Sequence, residues 1–272
     1  MPRGPGQCVP ESGSTDERLP ESPLQTESFT IMTTTPELDI QEITADSPLW
    51  PARVNDLQRV GIGQHVPQRL FVAGNTQLLR RLSPAPAAAG VSVTITGSRA
   101  CTAYGQYMSD SIAGDLAKSD VLVISGGGFG IDVAAHRSAL VHGKPCVAVL
   151  PSGLNRMNPV AHRSLLHQIA VTDGLLISAV EPDGSVSRTR LVGRNLLMAA
   201  LSDATVIIEA GRQSTSLQLT DAAIELNRAV GAVPGPVTSA TSAGCHELLS
   251  TGHARLIRDG RDVITMLENH YA

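Results

Sequence analysis

From residue 91 onward, short apolar and β-branched runs alternate with stretches of helical period. The runs are Val91–Thr96, Val121–Ser125, Cys146–Leu150, Leu175–Ser178, Thr205–Glu209 and Ala229–Val233. Each is too short for a helix and reads as a strand. Between them, Met108, Ile112 and Leu116 share one helical face, and Leu217, Asp221, Ile224 and Arg228 in part share a second, with Leu219, Ala223 and Leu226 alongside. Strands and helices alternating at this spacing predict an α/β fold: a Rossmann-like, doubly wound, mostly parallel sheet with helices on both faces.

Ahead of this pattern the chain changes character. Residues 1–45 are rich in Pro, Ser, Thr and Glu without apolar periodicity, and predict a disordered acidic tail. Residues 46–90 read as a lead-in segment and linker, with Trp50-Pro51 at its start, a small strand at Leu70–Val72, and a Pro/Ala stretch from Pro84 to Gly90. Residues 91–272 form the predicted Rossmann-like domain, and too few residues follow Ile264 for a winged-helix or helix-turn-helix segment.

Composition narrows the function. With 272 residues and 42% hydrophobic content the chain can bury a sizeable core. Aromatic residues make up only 3%, so stacking of many bases on rings is not the main binding device. The four cysteines, Cys8, Cys101, Cys146 and Cys245, lie far apart and read as free thiols, with neither a metal site nor a disulfide framework. No apolar stretch reaches bilayer length, which predicts a cytoplasmic protein without membrane attachment. The net charge is -4, yet residues 1–45 alone carry -6, which leaves +2 for the remainder. The arginines of that remainder are clustered.

In doubly wound sheets ligands bind beyond the carboxyl ends of the strands, which directs attention to three turns. The first strand ends in Gly97-Ser98-Arg99, where a glycine allows close backbone approach, a hydroxyl can bond an anion, and a guanidinium can clamp a phosphate. The second ends in Gly126-Gly127-Gly128-Phe129-Gly130 before Ile131-Asp132, a glycine-rich helix entry whose free N–H groups make an anion nest. The third is Arg188, Arg190 and Arg194 with Asn195, three guanidiniums within seven positions and no acid between them, ahead of a helix predicted over Asn195–Leu201. Like charges so close repel one another unless an anion binds.

None of this demands chemistry. The glycine turn is neither a dinucleotide fingerprint nor a phosphate-binding loop of the NTPase type. Asp132 reads as a residue that fixes the turn, and His136 as a packed core histidine. After Glu209, Ser214 or Thr215 is most simply a helix cap. No catalytic residue, cofactor or metal is expected.

These residues together resemble the DprA/Smf DNA-processing family. The resemblance runs from Trp50 to His246 and rests on Ile95–Arg99, Ser125–Arg137, Ala148–Leu150 with Gly153, Arg194-Asn195 and Gly231–Pro236. The stretch Val230–Leu248 is similar to the actinobacterial branch. The resemblance implies single-stranded DNA binding, homodimers, and loading of a RecA-type recombinase in recombination or DNA uptake, without the N-terminal helical and C-terminal winged-helix modules of many relatives. It implies DNA contacts at Arg99, at Arg194 with Asn195, and along Gly126–Gly130. The family commonly has Ala-Arg where this chain has Gly128-Phe129, and Phe129 can stack on a base or pack inward. Arg188 and Arg190 stand in for the lost charges. The alternative is a nucleotide-derivative sensor or a phosphoribohydrolase of the LOG-like fold group. That group relies on a glycine-rich turn with a glutamate, which the segment after Glu209 lacks.

Overall fold

The computed structural model describes residues 37–59, 66–83 and 91–272. Among them, short runs pair edge to edge because their backbone groups must be satisfied once both faces are covered. The strands are β1 (Gln41–Thr44), β2 (Arg69–Gly74), β3 (Ser92–Thr96), β4 (Leu122–Gly126), β5 (Cys146–Leu150), β6 (Leu175–Ser178), β7 (Ala204–Ile207), β8 (Ala229–Ala232) and β9 (Arg255–Leu256). They form one sheet in the order β1-β2-β6-β5-β4-β3-β7-β8-β9. From β6 to β9 every pairing is parallel, and β2 joins β6 antiparallel with β1 antiparallel to β2. The chain runs β3 to β6 in one direction across the sheet and then returns to place β7 on the other side of β3. That reversal makes the gap between β3 and β7 the switch point of the fold.

The helices are α1 (Leu78–Arg81), α2 (Ala103–Lys118), α3 (Ile131–Val141), α4 (Arg163–Val171), α5 (Arg188–Leu201), α6 (Thr215–Glu225), α7 (Ala243–Ser250) and α8 (Gly260–Tyr271). One core layer packs α2, α3, α4 and α8 on the sheet, with Met108, Ile112 and Leu116 buried as their spacing predicts. The other packs α5, α6 and the turn at Ala52–Gln58, and holds the fully buried Val54 and Leu57. The predicted three-layer α/β architecture is the one observed, and the six predicted strands fall within one or two residues of β3 to β8.

The boundaries at 45 and 90 do not separate folding units. Residues 1–36 and 84–90, which carry most of the predicted tail and the Pro/Ala linker, lie outside the described residues. Gln41–Thr44, assigned to the tail from composition, is instead a strand, because pairing with β2 satisfies its backbone and buries Ile43. The lead-in belongs to the domain as well. Its β2 lies between β1 and β6, and Arg53 forms a buried ion pair with Asp203 at 2.5 Å. Asp203 also accepts from the Ser92 N–H at 2.8 Å and its hydroxyl at 3.0 Å, which ties the lead-in to the amino end of β3.

Replacing Asp203 with Ala would strand the Arg53 guanidinium, only 9% exposed, without its counter-charge. Denaturant unfolding is expected to show a loss of about 3 to 5 kcal/mol. A loss under about 1 kcal/mol would mean that the pair adds nothing.

Candidate nucleic-acid interface

The turns leaving β3, β4, β5 and β7 surround a cleft of about 370 Å³ at the switch point. Its walls bring together Gly97 and Arg99 after β3, Gly127, Gly128 and Phe129 after β4, Arg194 and Asn195 from α5, and Thr215 and Ser216 from the start of α6. Seven of the predicted site residues therefore converge, although they come from three separate stretches of sequence.

Each is held by its element. Thr102 caps α2, its hydroxyl accepting from the Gly105 N–H and donating to the Glu209 carboxylate at 2.6 Å. The Ser98 N–H donates to the Glu209 carbonyl at 2.7 Å, which fixes the Gly97–Arg99 turn against the end of β7. Ser98 is not among the lining residues of the cleft, since its backbone serves the turn. Arg99 is exposed and, among the described residues, enters no ion pair, so its charge is available to a ligand.

The glycine turn works differently from a plain anion nest. The Asp132 carboxylate folds back onto it, accepting from the Gly128 N–H at 3.1 Å and from the Thr96 hydroxyl at 2.8 Å. One amide expected to face a ligand is thus spent on the chain's own carboxylate, as suits a residue that fixes the turn. Arg194 approaches the same carboxylate at 3.5 Å. A Cβ at Gly126 would collide with both the Arg194 guanidinium and Asp132, so only glycine leaves room for this pair. Gly130 has φ +72°, and a side chain there would meet the carbonyls of Ser98 and Arg99. Gly126 and Gly130 shape the turn from below and do not line the cleft.

The arginine cluster is also rearranged. Helix α5 begins at Arg188, capped by the Ser187 hydroxyl accepting from the Arg190 N–H at 3.2 Å, so the arginines lie in its first two turns rather than ahead of it. The serine cap outweighs the helix-weakening Gly193. Arg194 points into the cleft, and burial pushes its pKa down while Asp132 opposes that shift. Arg190 donates to the Ser185 carbonyl and lines a neighbouring groove of about 290 Å³ that shares Arg194 as a wall. Arg188 is exposed and lines neither. Arg190 and Arg194, one turn apart, share a helix face while Arg188 points away from it, so the three guanidiniums do not form a single clamp. Asn195 donates to the Thr215 carbonyl at 3.2 Å and joins α5 to the first turn of α6, where Ser214 is the cap.

Sequence reasoning missed Pro151, Asn158, Pro159 and Leu191 on the cleft wall. Pro151 directly follows β5, so applying the strand-end rule to every strand would have reached it. The others depend on the tertiary path of the chain.

Behind the turn, His136 is fully buried in α3. A carbonyl can only accept, so the ring's Nε2–H donates to the Gly126 oxygen at 2.9 Å, which leaves Nδ1 to accept from the Cys146 thiol at 3.4 Å. Burial holds the imidazole neutral, its pKa lowered to about 4, and pushes the thiol up to about 12. His136 is the core histidine expected from its sequence. Cys101, Cys146 and Cys245 are free, and Cys8 lies outside the described residues.

Fold and cleft together define a Rossmann-like domain with an arginine-bearing cleft at its switch point. The chain belongs to the DprA/Smf family: residues 41–268 match the family described as DNA recombination-mediator protein A. A putative DNA processing protein DprA of Mycobacterium tuberculosis is 43% identical over 200 residues, 74% of this chain and 49% of the relative. The chain thus spans about half the length of that relative. The crystal structure of DNA processing protein A from Streptococcus pneumoniae superposes with a TM-score of 0.73 at 29% identity, covering 84% of this chain and 74% of that one. DNA processing protein A from Helicobacter pylori, solved for its single-stranded DNA binding mode, superposes with a TM-score of 0.71 at 26% identity, covering 85% and 98%. Among the described residues no helix is long and apolar enough to cross a membrane.

The unfolded imidazole titrates near 6.5 and the folded one near 4, so the unfolded chain takes up more protons between these values. Stability is therefore expected to fall as pH falls through that window. Denaturant midpoints of His136→Asn should show a shallower acid dependence than the parent chain, and an unchanged slope would exclude His136 as a source of it.

Proposed function

We propose that this chain binds single-stranded DNA in the switch-point cleft and passes the strand to a RecA-type recombinase, acting as a homodimer and as a binder rather than a catalyst. The observation that carries the reading is the convergence of Arg99 and Arg194, 95 positions apart in sequence, on one cleft at the carboxyl ends of the strands. Exposed Arg99 offers a phosphate an unpaired guanidinium, and Arg194 offers one whose partner, Asp132, is fixed from two other sides. Arg190, across the Arg194 wall, continues the positive edge for a neighbouring phosphate. Such contacts carry no base code, and they favour a flexible single strand that can enter a narrow cleft over a stiff duplex. The single-stranded DNA binding described for the H. pylori relative supports the reading, as does membership of a DNA-processing family. Recombinase delivery and dimer formation rest on the family resemblance. The phosphoribohydrolase alternative is not favoured: the Glu209 carboxylate accepts from the N–H and hydroxyl of Thr102 and from Thr241, and it is not among the residues lining the cleft.

Binding of oligo-dT, followed by fluorescence anisotropy across salt, tests this. With about three arginine contacts the slope of log affinity on log salt should be near -2, and Arg99→Ala should shallow it by about 0.7. Arg194→Ala should weaken binding more than Arg99→Ala, because it leaves the Asp132 charge unpaired in the cleft. Arg194→Ala with Asp132→Asn should bind better than Arg194→Ala alone, since the amide keeps the turn while removing the repulsion. If Arg99→Ala leaves both affinity and slope unchanged, the proposal fails.

A further inference from the structure

Phe129 is one of three phenylalanines in the chain, yet it is 48% exposed. A benzyl group is normally driven into the core by the cost of wetting it. Here it stands at the wall of the cleft, in the same glycine turn that brings Gly128 beside Arg99.

The ring is also braced. It meets His162 edge to face, with centroids 4.4 Å apart and an interplanar angle of 62°. His162 is buried, and its Nδ1–H donates to the Gly127 carbonyl at 2.9 Å. The residue supporting the ring is thus bonded to the backbone of the turn that carries it, and ring and turn are fixed as one piece. An aromatic side chain held with one side free, beside a guanidinium able to hold a phosphate, has the geometry that suits a flat π system joined to an anion.

We propose that Phe129, positioned by His162, is a stacking platform for an unstacked nucleobase, so that the cleft engages a base as well as a phosphate. This rests on the strand-binding reading above and adds a selectivity to it. Strands lacking a base at the cleft bind less well, and a duplex is penalised because its bases are already stacked and paired. Sequence preference stays slight, since every base has a π face.

The test compares oligo-dT with a length-matched oligonucleotide carrying abasic sugars, by anisotropy at one salt concentration. The full chain should bind oligo-dT about tenfold more tightly than the abasic strand. Phe129→Ala should erase that ratio by lowering oligo-dT affinity alone, and Phe129→Trp should preserve it. His162→Leu should lower the ratio part of the way, by freeing the ring. Thermal melting of each variant shows whether it is folded, and Phe129→Trp keeps the test decisive if the alanine variant is not, since a ratio that collapses with tryptophan present would overturn stacking. Arg99→Ala should weaken both ligands equally. If it does, while folded Phe129→Ala leaves the ratio intact, the platform is overturned and the strand-binding reading stands. If neither variant changes binding, both are overturned.

Discussion

The site depends on one buried contact, the pairing of Arg194 with Asp132 over Gly126. Two helices from different crossovers meet there. Asp132 lies in the first turn of α3 and Arg194 in the second turn of α5, and these helices pack on opposite faces of the sheet. Their side chains can reach each other only past the end of β4, where the absence of a Cβ opens the way. A charge as buried as Arg194 is tolerated because Asp132 offsets its desolvation, and Asp132 is in turn held by Thr96 and Gly128. The cleft wall is therefore assembled by electrostatics across the sheet, where packing on either face alone could not join it.

That arrangement explains how a chain with a negative overall charge carries a cleft whose free charge is positive. The acids near the cleft are engaged: Asp132 by the turn and Arg194, Glu209 by Thr102. The field presented outward is then set by Arg99 and by Arg190 on the exposed start of α5. Local charge, fixed by who is paired with whom, outweighs the total.

The legibility of the fold followed from burial. Strands covered on both faces appear in sequence as short β-branched runs, and β3 to β8 were readable for that reason. Strand β1 was not, because one buried residue, Ile43, leaves no pattern and its pairing with β2 is a long-range event. Within the site, the turns after β3 and β4 announced themselves by glycine and arginine. What the residues could not disclose was partnership. Arg188, Arg190 and Arg194 look equivalent on the page, yet one lies in the cleft, one borders the next groove and one is simply exposed. The start of α5 at Arg188 was hidden by Gly193 and the charge run, since a serine cap decides where a helix begins only once the preceding loop has its path.

Strand β3 shows a further consequence. At its amino end Ser92 donates to Asp203, the partner of Arg53, and at its carboxyl end Thr96 donates to Asp132, the partner of Arg194. The central strand is pegged at both extremities by a carboxylate that is itself anchored to an arginine from another layer. A strand pegged this way resists sliding along its neighbours, so the Gly97–Arg99 turn keeps its height above the sheet with nothing bound. The entropy of shaping the mouth of the cleft is met during folding, so its outline is set before anything enters it.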